Sequence, residues 1–418
     1  MKKRILVKGP VLSQSGYGEQ SRFALKSLRS REDKFDIYIA PLSWGKTGWV
    51  STDSEERRWI DEKIAKTQIY NQQGGTYDIS LQITIPNEFE KLAPINIGYT
   101  AGIETTRVAA KWIQKCNEMD SIIVVSNHAK EVFDNTVYQG THPQTGQTFE
   151  LYTQTPITVV NYSQRTYPQE KLNLDLEYNF NYLAMVQWGP RKNVNNLIKW
   201  FVEENFDQEV GLVLKASIQN NSLIDREHTT NRLKNMLNEH KDMKCKIYLL
   251  HGDMSEKDLG GLYRHPKIKA FVSTAHGEGF GLPLFEAACH GMPVIMHGWS
   301  GQKDFLYIPL KNGQHAPYFA EVEYDLGEVG KNSIWKDVVE EGSGWAYPRE
   351  ASFKRKLREV RTNYKKHKRK ATKLKKHLIE NFSEEKQFEK FCNAICPESL
   401  WNPDAWLEEL NADIREVE

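Results

Sequence analysis

The pair Glu278 and Glu286 is the feature of this sequence that points most directly to chemistry. The two carboxylates stand on either side of the run Gly-Phe-Gly-Leu-Pro. Glycines that lead into a helix leave backbone N–H groups open to an anion, and the helix dipole adds positive potential there. We therefore predict that this segment holds a phosphate group. Glu286 would accept hydrogen bonds from hydroxyls such as a ribose diol, and Glu278 would face whatever the phosphate carries.

Regular elements must hold this pair in place. The apolar run Lys269–Thr274 predicts a strand, Pro283–His290 a short helix, and Pro293–Met296 a second strand. Glu286 then falls in the first turn of the helix and Glu278 in the loop before it. The alternative is two carboxylates on a solvated surface, where most glutamates lie. The glycine, proline and strand context favours a binding site.

Strands and helices alternate along most of the chain. Each half contains short apolar runs that are separated by helical stretches, which is typical of a parallel sheet covered on both faces. We predict an α/β fold of two Rossmann-like, doubly wound domains that face each other across a cleft. The N-terminal domain comprises residues 1–170, and the stretch Pro156–Val160 begins the passage between the halves. The C-terminal domain comprises residues 171–383.

Two loops near the N-terminus are candidates for ligand contacts. The first, Gly9–Gly18, follows the strand Arg4–Val7 and precedes the predicted helix Glu19–Leu28. Its glycines Gly16 and Gly18 would let the backbone approach a diphosphate, but a simple tight turn explains them equally well. The second loop, Trp44–Trp49, is flanked by tryptophans. It forms either an acceptor surface or a set of packed aromatic rings, and packing is the simpler interpretation.

The segment Glu278–Glu286, followed by Ala-Ala, Gly291 and Pro293, resembles the paired-glutamate signature of retaining glycosyltransferases of family 4. These enzymes have the two-domain GT-B fold. The resemblance implies transfer of a sugar from a nucleotide-diphosphate sugar, most commonly a UDP-sugar, to an acceptor hydroxyl with retention of configuration. It also implies that the C-terminal helices, within 384–418, cross back to the N-terminal domain. These helices are predicted at Glu384–Ile395 and Trp401–Leu410.

The resemblance also assigns roles to individual residues. Arg191 and Lys192 match the basic loop that holds the donor diphosphate, and Glu278 matches the carboxylate that contacts the sugar. The expected catalytic residues are Glu278, Glu104 and Lys192. The expected donor-binding residues are Gly16, Gly18, Arg191, Lys192, Lys215, Gly252, Gly279, Phe280, Gly281, Leu282 and Glu286.

The sequence departs from the family pattern in two places. Many relatives carry an additional arginine before the basic loop, where this chain has Met185–Trp188. Neutralisation of the diphosphate would therefore rest on Arg191 and Lys192. Relatives also often carry a histidine in the N-terminal half, whereas residues 98–106 contain none, and Glu104 is our substitute. No segment of the sequence resembles the Asp-x-Asp metal pair of the other major glycosyltransferase fold. We therefore expect no metal and no cofactor, only the nucleotide sugar as co-substrate.

Composition narrows the class of protein. The chain has 418 residues, a hydrophobic content of 39% and a formal net charge of +1, which are typical of a globular protein and single out no partner by charge. The N-terminus is too short in apolar residues for a signal peptide, and no window approaches a membrane span. The five cysteines lack metal-site spacing. We expect a cytoplasmic protein.

The acceptor is the harder question. The segment Phe353–Leu378 predicts a helix with an apolar stripe and a dense basic face, which favours an anionic partner such as double-stranded DNA. The alternative is a solvated face balanced by acids elsewhere. The residues expected to contact DNA are Lys365, Lys366, Lys368, Arg369 and Lys370.

The segment Leu6–Leu28 and the Trp44–Trp49 loop look similar to glycosyltransferases encoded by large tailed phages. An enzyme of that origin would act in the host cytoplasm. In that setting one familiar acceptor is 5-hydroxymethyl-pyrimidine in phage DNA. A transferase for a surface polysaccharide or a lipid-linked glycan is the second interpretation. A nucleotide-sugar-binding protein without catalytic activity is the third, because the histidine and arginine described above are missing.

Overall fold

The structure is a computed structural model that describes residues 2–141, 144, 146–168, 170–240 and 242–396. These residues form two six-stranded parallel sheets with helices on their faces. The second predicted C-terminal helix, Trp401–Leu410, lies outside the described residues. No helix in the described ranges has the length and apolarity that crossing a membrane would require.

The first sheet is built from the N-terminal half. Its strands are β1 Lys3–Gly9, β2 Phe35–Pro41, β3 Ile79–Ile83, β4 Ile95–Thr100, β5 Ser121–Val124 and β8 Ile157–Val159. A separate hairpin, β6 Tyr138–Thr141 and β7 Thr148–Leu151, precedes β8 in the chain. The sheet order is β2-β1-β3-β4-β5-β8, with all neighbours parallel, and β6 pairs with β7 in an antiparallel hairpin. The stretch Pro156–Val160 was expected to begin the passage between halves. It contains β8 instead, because Ile157 and Val159 align beside β5 and extend the sheet.

Helices cover both faces of this sheet. They are α1 Gly16–Arg29, α2 Glu55–Gln72, α3 Ala110–Cys116 and α4 Asn127–Asn135, with a 3₁₀ turn at Pro86–Glu88. The inner strands are buried on both sides, as the adjacent residues Ile122 and Ile123 of β5 show with no exposed surface. Such strands read as continuous apolar runs rather than as alternating ones, which is why the sequence predicts a parallel sheet.

The second sheet has the strand order of a dinucleotide-binding fold. Its elements are β9 Asn181–Gln187, α5 Val194–Asn205, β10 Gly211–Ser217, α6 Leu223–Leu237, β11 Lys246–Leu250, α7 Glu256–Tyr263, β12 Ile268–Val272, α8 Leu282–Cys289 and β13 Val294–His297. The order is β11-β10-β9-β12-β13, followed by the edge strand Ala320–Val322. Strand order reverses between β9 and β12. Ligands of doubly wound sheets bind at this switch point, outside the carboxyl ends of the strands.

The remaining elements follow β13. They are α9 Lys303–Leu306, β14 Tyr307–Pro309, β15 His315–Pro317, β16 Ala320–Val322, β17 Tyr324–Glu328, a 3₁₀ turn at Lys331–Ser333, β18 Gly344–Pro348, α10 Glu350–Thr362, α11 Tyr364–Asn381 and α12 Glu384–Ile395. A further 3₁₀ turn, Pro190–Lys192, lies between β9 and α5. Strand β14 pairs with β15 and β17 with β18, both antiparallel. The segment between β17 and β18 reaches the first domain, where Val338 is buried in the core around Trp112.

The basic segment forms two helices rather than the single helix that we expected. Asn363 leaves the helical conformation, with φ −114° and ψ 35°, and separates α10 from α11. Threonine and asparagine at this point favour helix less than the surrounding lysines and arginines do. The apolar stripe is nevertheless buried as predicted. Helix α10 packs on α5 through Phe353 and Trp200, and α11 contacts the end of α8.

The two sheets share a continuous apolar core. Tyr162, in the segment that passes between the domains, contacts Phe23 of α1 and Phe280 after β12, with ring centroids 5.4 and 5.1 Å apart. Helix α12 returns to the first domain, where Phe391 packs on Phe23 and Tyr99. The chain therefore joins the two domains by buried aromatic contacts at its middle and at its C-terminal helix.

Candidate functional site

Four charged side chains meet at the switch point of the second sheet. Lys192 places its ammonium 2.6 and 2.7 Å from the two carboxylate oxygens of Glu278. Arg191 bridges the domains, because its guanidinium lies 3.2 Å from Glu278 and 3.2 Å from Glu104. The structure thus brings together all three predicted catalytic residues. Two cations and two carboxylates lie at one point of the cleft.

Local backbone geometry points the basic residues inward. Arg191 and Lys192 lie in the 3₁₀ turn after β9, and Asn193 at its end has a left-handed backbone, with φ 53°. Arg191 also donates to the carbonyl of Gly277, at 2.6 Å, which ties the turn to the loop after β12. Burial alone would raise the pKa of Glu278, but the charges of Lys192 and Arg191 outweigh it and hold the pKa below its usual range. Glu278 is therefore ionised at neutral pH.

The loop before α8 is shaped by close backbone contacts. A Cβ at Gly277 would lie 2.7 Å from the carbonyl oxygen of Glu104, and one at Gly279 would lie 2.9 Å from that of Ala101. Larger residues at these positions would therefore push the two domains apart. Gly281 has φ 96°, a conformation that favours glycine, and no side chain caps the helix that it precedes. The amides at this helix start are suited to an anion.

Glu286 lies in the second turn of α8, not in the first turn as the sequence suggested, because the helix begins at Leu282. Its carboxylate is buried and accepts hydrogen bonds from the hydroxyls of Tyr167 and Tyr263, at 2.8 and 2.9 Å. Arg165 lies 3.5 Å away and also pairs with Glu19 at 2.7 Å. Burial raises the pKa of Glu286. Its expected contact with a ribose stays a prediction.

Two other residues of the predicted donor set have packing roles in this structure. Phe280 is buried against Tyr162, Phe285 and Phe305, with ring centroids between 5.0 and 5.1 Å apart. Leu282 is half-buried at the first position of α8. Both residues therefore help to fix the position of the glycine loop, Gly277–Gly281.

Lys215 and Gly252 lie together at the carboxyl ends of the neighbouring strands β10 and β11. The ammonium of Lys215, on β10, donates to the carbonyl oxygen of Gly252 at 3.0 Å. Gly252 follows β11 and has φ 108°. Asp225 holds the neighbouring His251 at 2.8 Å and also accepts from the backbone after β10. The two loops that the sequence assigned to the nucleotide are thus fixed to each other.

Gly16 and Gly18 belong to α1, which begins at Gly16 rather than at Glu19. The hydroxyl of Ser15 caps the helix and accepts from the amide of Gly18 at 3.1 Å, so that amide already has a partner. A Cβ at Gly18 would lie 1.9 Å from the carbonyl oxygen of Ser13, whereas one at Gly16 would meet no atom within 4 Å. Gly18 therefore allows close packing against the backbone at Ser13, and the predicted approach of Gly16 and Gly18 to a diphosphate stays a prediction.

The chain is similar to known glycosyltransferases, in part of its sequence and over most of its fold. Residues 263–391 match the model of family 4 glycosyltransferases in conflict systems, which covers less than half of the chain. The HepE protein of Anabaena, solved with UDP and glucose, superposes with a TM-score of 0.59 at 12% identity over 94% of this chain and 98% of that one. The fold is GT-B.

Two further solved structures are similar. The sucrose-phosphate synthase of Thermosynechococcus elongatus superposes with a TM-score of 0.54 at 12% identity, over 100% of both chains. A lipopolysaccharide outer core galactosyltransferase, WaaB, gives a TM-score of 0.53 at 15% identity, over 94% of this chain and 99% of that one. No curated protein matches the sequence significantly. At these identities the similarity concerns the fold alone.

Within this GT-B fold, the basic helices lie away from the charged cluster. Lys368 donates to the carbonyl of Gly291 at 2.6 Å, at the C-terminal end of α8, whereas the glycine loop lies at its N-terminal end. The helix of 8 residues is about 12 Å long. Lys370 contacts the carbonyl of Pro317, and Lys366 lies 3.9 Å from Glu359. In the part of the chain that the structure describes, no ion pair involves the predicted DNA-contacting residues Lys365 and Arg369.

Helix α10 supports the simpler interpretation of its charges. Lys354, Arg355 and Arg358 pair with Glu203, Glu323 and Glu204 respectively, at 2.6 to 2.8 Å. These residues therefore stabilise contacts within the domain. An outward basic row remains on α11, at the helical spacing of Lys365, Arg369 and Lys373.

Several residues at the site are not predicted from the sequence. Ser300, with φ 75°, accepts a hydrogen bond from the amide of Glu278 at 2.9 Å and so helps to hold that loop. Arg165 and Tyr167 come from a polar stretch without any motif, more than a hundred positions before the carboxylate that they contact. Ser300 carried a weak signal, because it precedes Gly301 in the short loop after the apolar strand β13.

Proposed function

We propose that this protein is a glycosyltransferase that moves a sugar from a UDP-sugar to an acceptor hydroxyl. One observation carries the proposal: Arg191 and Lys192 converge on Glu278 beside an uncapped helix start, at the switch point of a GT-B domain. A nucleotide diphosphate needs several positive groups, and two cations with a helix N-terminus supply them. HepE, of similar fold, was solved with UDP and glucose, which supports a uridine donor.

We propose transfer with retention of configuration. The bond between the anomeric carbon and the phosphate oxygen breaks, and a bond from the same carbon to the acceptor oxygen forms on the same face. The acceptor proton passes to the leaving phosphate oxygen. Lys192, Arg191 and the α8 amides stabilise the negative charge on the diphosphate, while the ionised Glu278 stabilises positive charge on the sugar. In this scheme neither a metal nor a cofactor takes part.

For the acceptor we propose 5-hydroxymethyl-pyrimidine in DNA, with the protein acting in the cytoplasm of a phage-infected host. The support is the basic row of Lys365, Arg369 and Lys373 on α11, together with the sequence similarity to phage enzymes noted above. The row lies beyond the far end of α8, so it would hold phosphates of the flanking duplex rather than the reacting base. Contacts of this kind position nucleic acid without reading its sequence.

The test incubates purified protein with a panel of nucleotide sugars and hydroxymethylated or plain DNA, with and without EDTA. UDP release and nucleoside mass spectrometry are the readouts. We expect glycosylated nucleoside from hydroxymethylated DNA only, unchanged by EDTA, and a loss of at least a hundredfold in Glu278→Gln. Glu177→Gln, an exposed carboxylate elsewhere, is the control and should be fully active. Absence of turnover with every donor would overturn the enzymatic proposal and leave only a binding protein.

A further inference from the structure

The loop Trp44–Trp49 is held by hydrogen bonds within itself and to the residues that precede α1. Thr47 donates to the carbonyl of Trp44 at 2.7 Å and shares a second hydrogen bond of 2.6 Å with Ser13. The amide of Gln14 donates to the carbonyl of Gly48 at 2.8 Å. Through these bonds the loop is fixed to the residues that precede α1. These hydrogen bonds therefore hold the backbone of the loop in place between its two tryptophans.

Trp44 and Tyr17 form an aromatic pair on this loop. Their ring centroids are 4.4 Å apart, with an angle of 37° between the planes. The tyrosine hydroxyl bonds to Thr100 at 2.8 Å and accepts from the amide of Ala101 at 3.3 Å, so the pair lies at the carboxyl end of β4. Ala101 in turn contacts Gly279 of the glycine loop. The pair thus lies on the wall of the cleft, across from the expected donor.

The exposure of these rings argues against packing as their only role. The core aromatic residues of the same domain, Trp112 and Tyr99, are at most 1% exposed. Trp44 and Tyr17 are only half-buried, and Trp49 beside them is 52% exposed. The hydroxyls nearest to the rings are already bonded to one another. Ring faces, rather than polar groups, are therefore what this wall offers to an acceptor.

We propose that Trp44 and Tyr17 form an acceptor subsite that stacks a planar pyrimidine ring, with Trp49 and Lys46 contacting the neighbouring nucleotide at the rim. The inference rests on the proposed function and specifies where its acceptor binds. An enzyme that modifies a base must remove that base from the duplex, and aromatic stacking replaces the stacking that is lost.

The experiment compares Trp44→Ala and Trp44→Phe with the wild type in two assays. The first measures KM for a hydroxymethylated single-stranded oligonucleotide, alongside the affinity for UDP. We expect KM to rise roughly ten- to hundredfold in Trp44→Ala and to recover largely in Trp44→Phe, with UDP affinity unchanged in both. The control is Trp335→Ala, which removes a tryptophan that is 61% exposed in the segment between β17 and β18 and should behave as wild type.

The second assay needs no turnover. Saturation-transfer NMR detects binding of free 5-hydroxymethyl-2′-deoxycytidine to the wild type and its loss in Trp44→Ala. Equal nucleoside binding by both proteins, or an unchanged KM, would overturn the subsite. Binding of a saccharide in place of the nucleoside, lost in Trp44→Ala, would also overturn it. If nucleoside binding depends on Trp44 but no donor is ever turned over, the proposed function fails while the subsite holds.

Discussion

At the scale of single residues, two glutamates of one motif occupy different environments. Glu278 contacts two cations, which keep it ionised. Glu286 is buried among tyrosine hydroxyls, and burial raises its pKa. Glu278 therefore carries a negative charge in the cleft. Glu286 instead links α8 to Arg165 and Tyr167, in the segment that passes between the domains. The motif alone does not distinguish these roles, because they depend on which distant residues surround each group.

We predict that Glu286→Ala lowers the free energy of unfolding by about 2–5 kcal/mol, since it leaves the buried hydroxyls of Tyr167 and Tyr263 without this acceptor and Arg165 with Glu19 as its remaining carboxylate partner. Urea denaturation at neutral pH measures the change. Tyr263→Phe, which removes one of the two hydroxyl donors, should cost only about 1 kcal/mol. A Glu286→Ala protein as stable as the wild type would show that this carboxylate is held loosely and is free for a ligand.

The charged cluster could largely be predicted from sequence, but the partners of Glu286 could not. Glu278, Arg191 and Lys192 follow strands that end at one edge of a parallel sheet, so topology brings them together. Arg165 and Tyr167 come from an irregular stretch whose path no periodicity reveals. Burial at the domain junction, rather than any local pattern, selects them.

At the scale of elements, α4 and α9 join the two domains on one side of the cleft. Asp304 of α9 accepts from the backbone and the side chain of Asn127, at 2.9 and 3.1 Å, and from Asn161 at 2.9 Å. It therefore supplies negative charge at the start of α4, where the helix dipole favours it. The sequence predicted neither helix. Only two residues, Val125 and Ser126, separate β5 from α4, and α9 is only 4 residues long.

We predict that Asp304→Ala accelerates hydrogen exchange at the Asn127 amide by roughly ten- to a hundredfold, because charge-assisted hydrogen bonds across the domain junction are lost. Mass spectrometry of peptides from α4 and from the glycine loop measures this. The matched control is Lys303→Ala, the exposed neighbour on the same helix. Unchanged exchange in both peptides would mean that Asp304 does not hold the domains together.

The helix break at Asn363 illustrates a limit of pattern reading. The apolar stripe continues on both sides of the break, through Leu357, Val360, Ala371 and Leu374, all of them buried. Periodicity therefore predicts one helix. The change of direction lets α10 pack on α5 and α11 on α8, which are different surfaces of the domain. Their positions follow from the tertiary fold and not from the segment itself.

At the scale of the whole molecule, similar strand–helix alternation produces two different strand orders. The first sheet places β2 at its edge beside β1, whereas the second follows the dinucleotide-binding order. Sequence predicted the class and the two-domain organisation but not these orders, because the direction of each crossover is decided by packing. The aromatic contacts of Tyr162 with Phe23 and Phe280 then fix one domain against the other.

Buried histidines predict how stability depends on pH. Burial lowers the pKa of His290 and His297 to about 4, compared with about 6.5 when unfolded. The unfolded chain then binds more protons in this window, so stability is fully present above about pH 6.5 and falls as pH approaches 4. Each fully buried histidine contributes at most about 3 kcal/mol.

Urea unfolding across this window, with His297→Gln and the exposed control His228→Gln, measures the effect. We expect His297→Gln to flatten the slope and His228→Gln to leave it unchanged. Parallel slopes in all three proteins would show that buried histidines do not govern acid stability.

The most direct test of the central claim is calorimetric titration of UDP and of uridine into the wild type and Lys192→Ala. If Lys192 holds the diphosphate, UDP affinity should fall by roughly ten- to a hundredfold in the variant, while uridine, which lacks phosphate, should bind both proteins equally. Lys199→Ala, an exposed lysine on α5, should match the wild type. Equal UDP affinity in Lys192→Ala and wild type, or no binding of UDP to the wild type, would contradict the account.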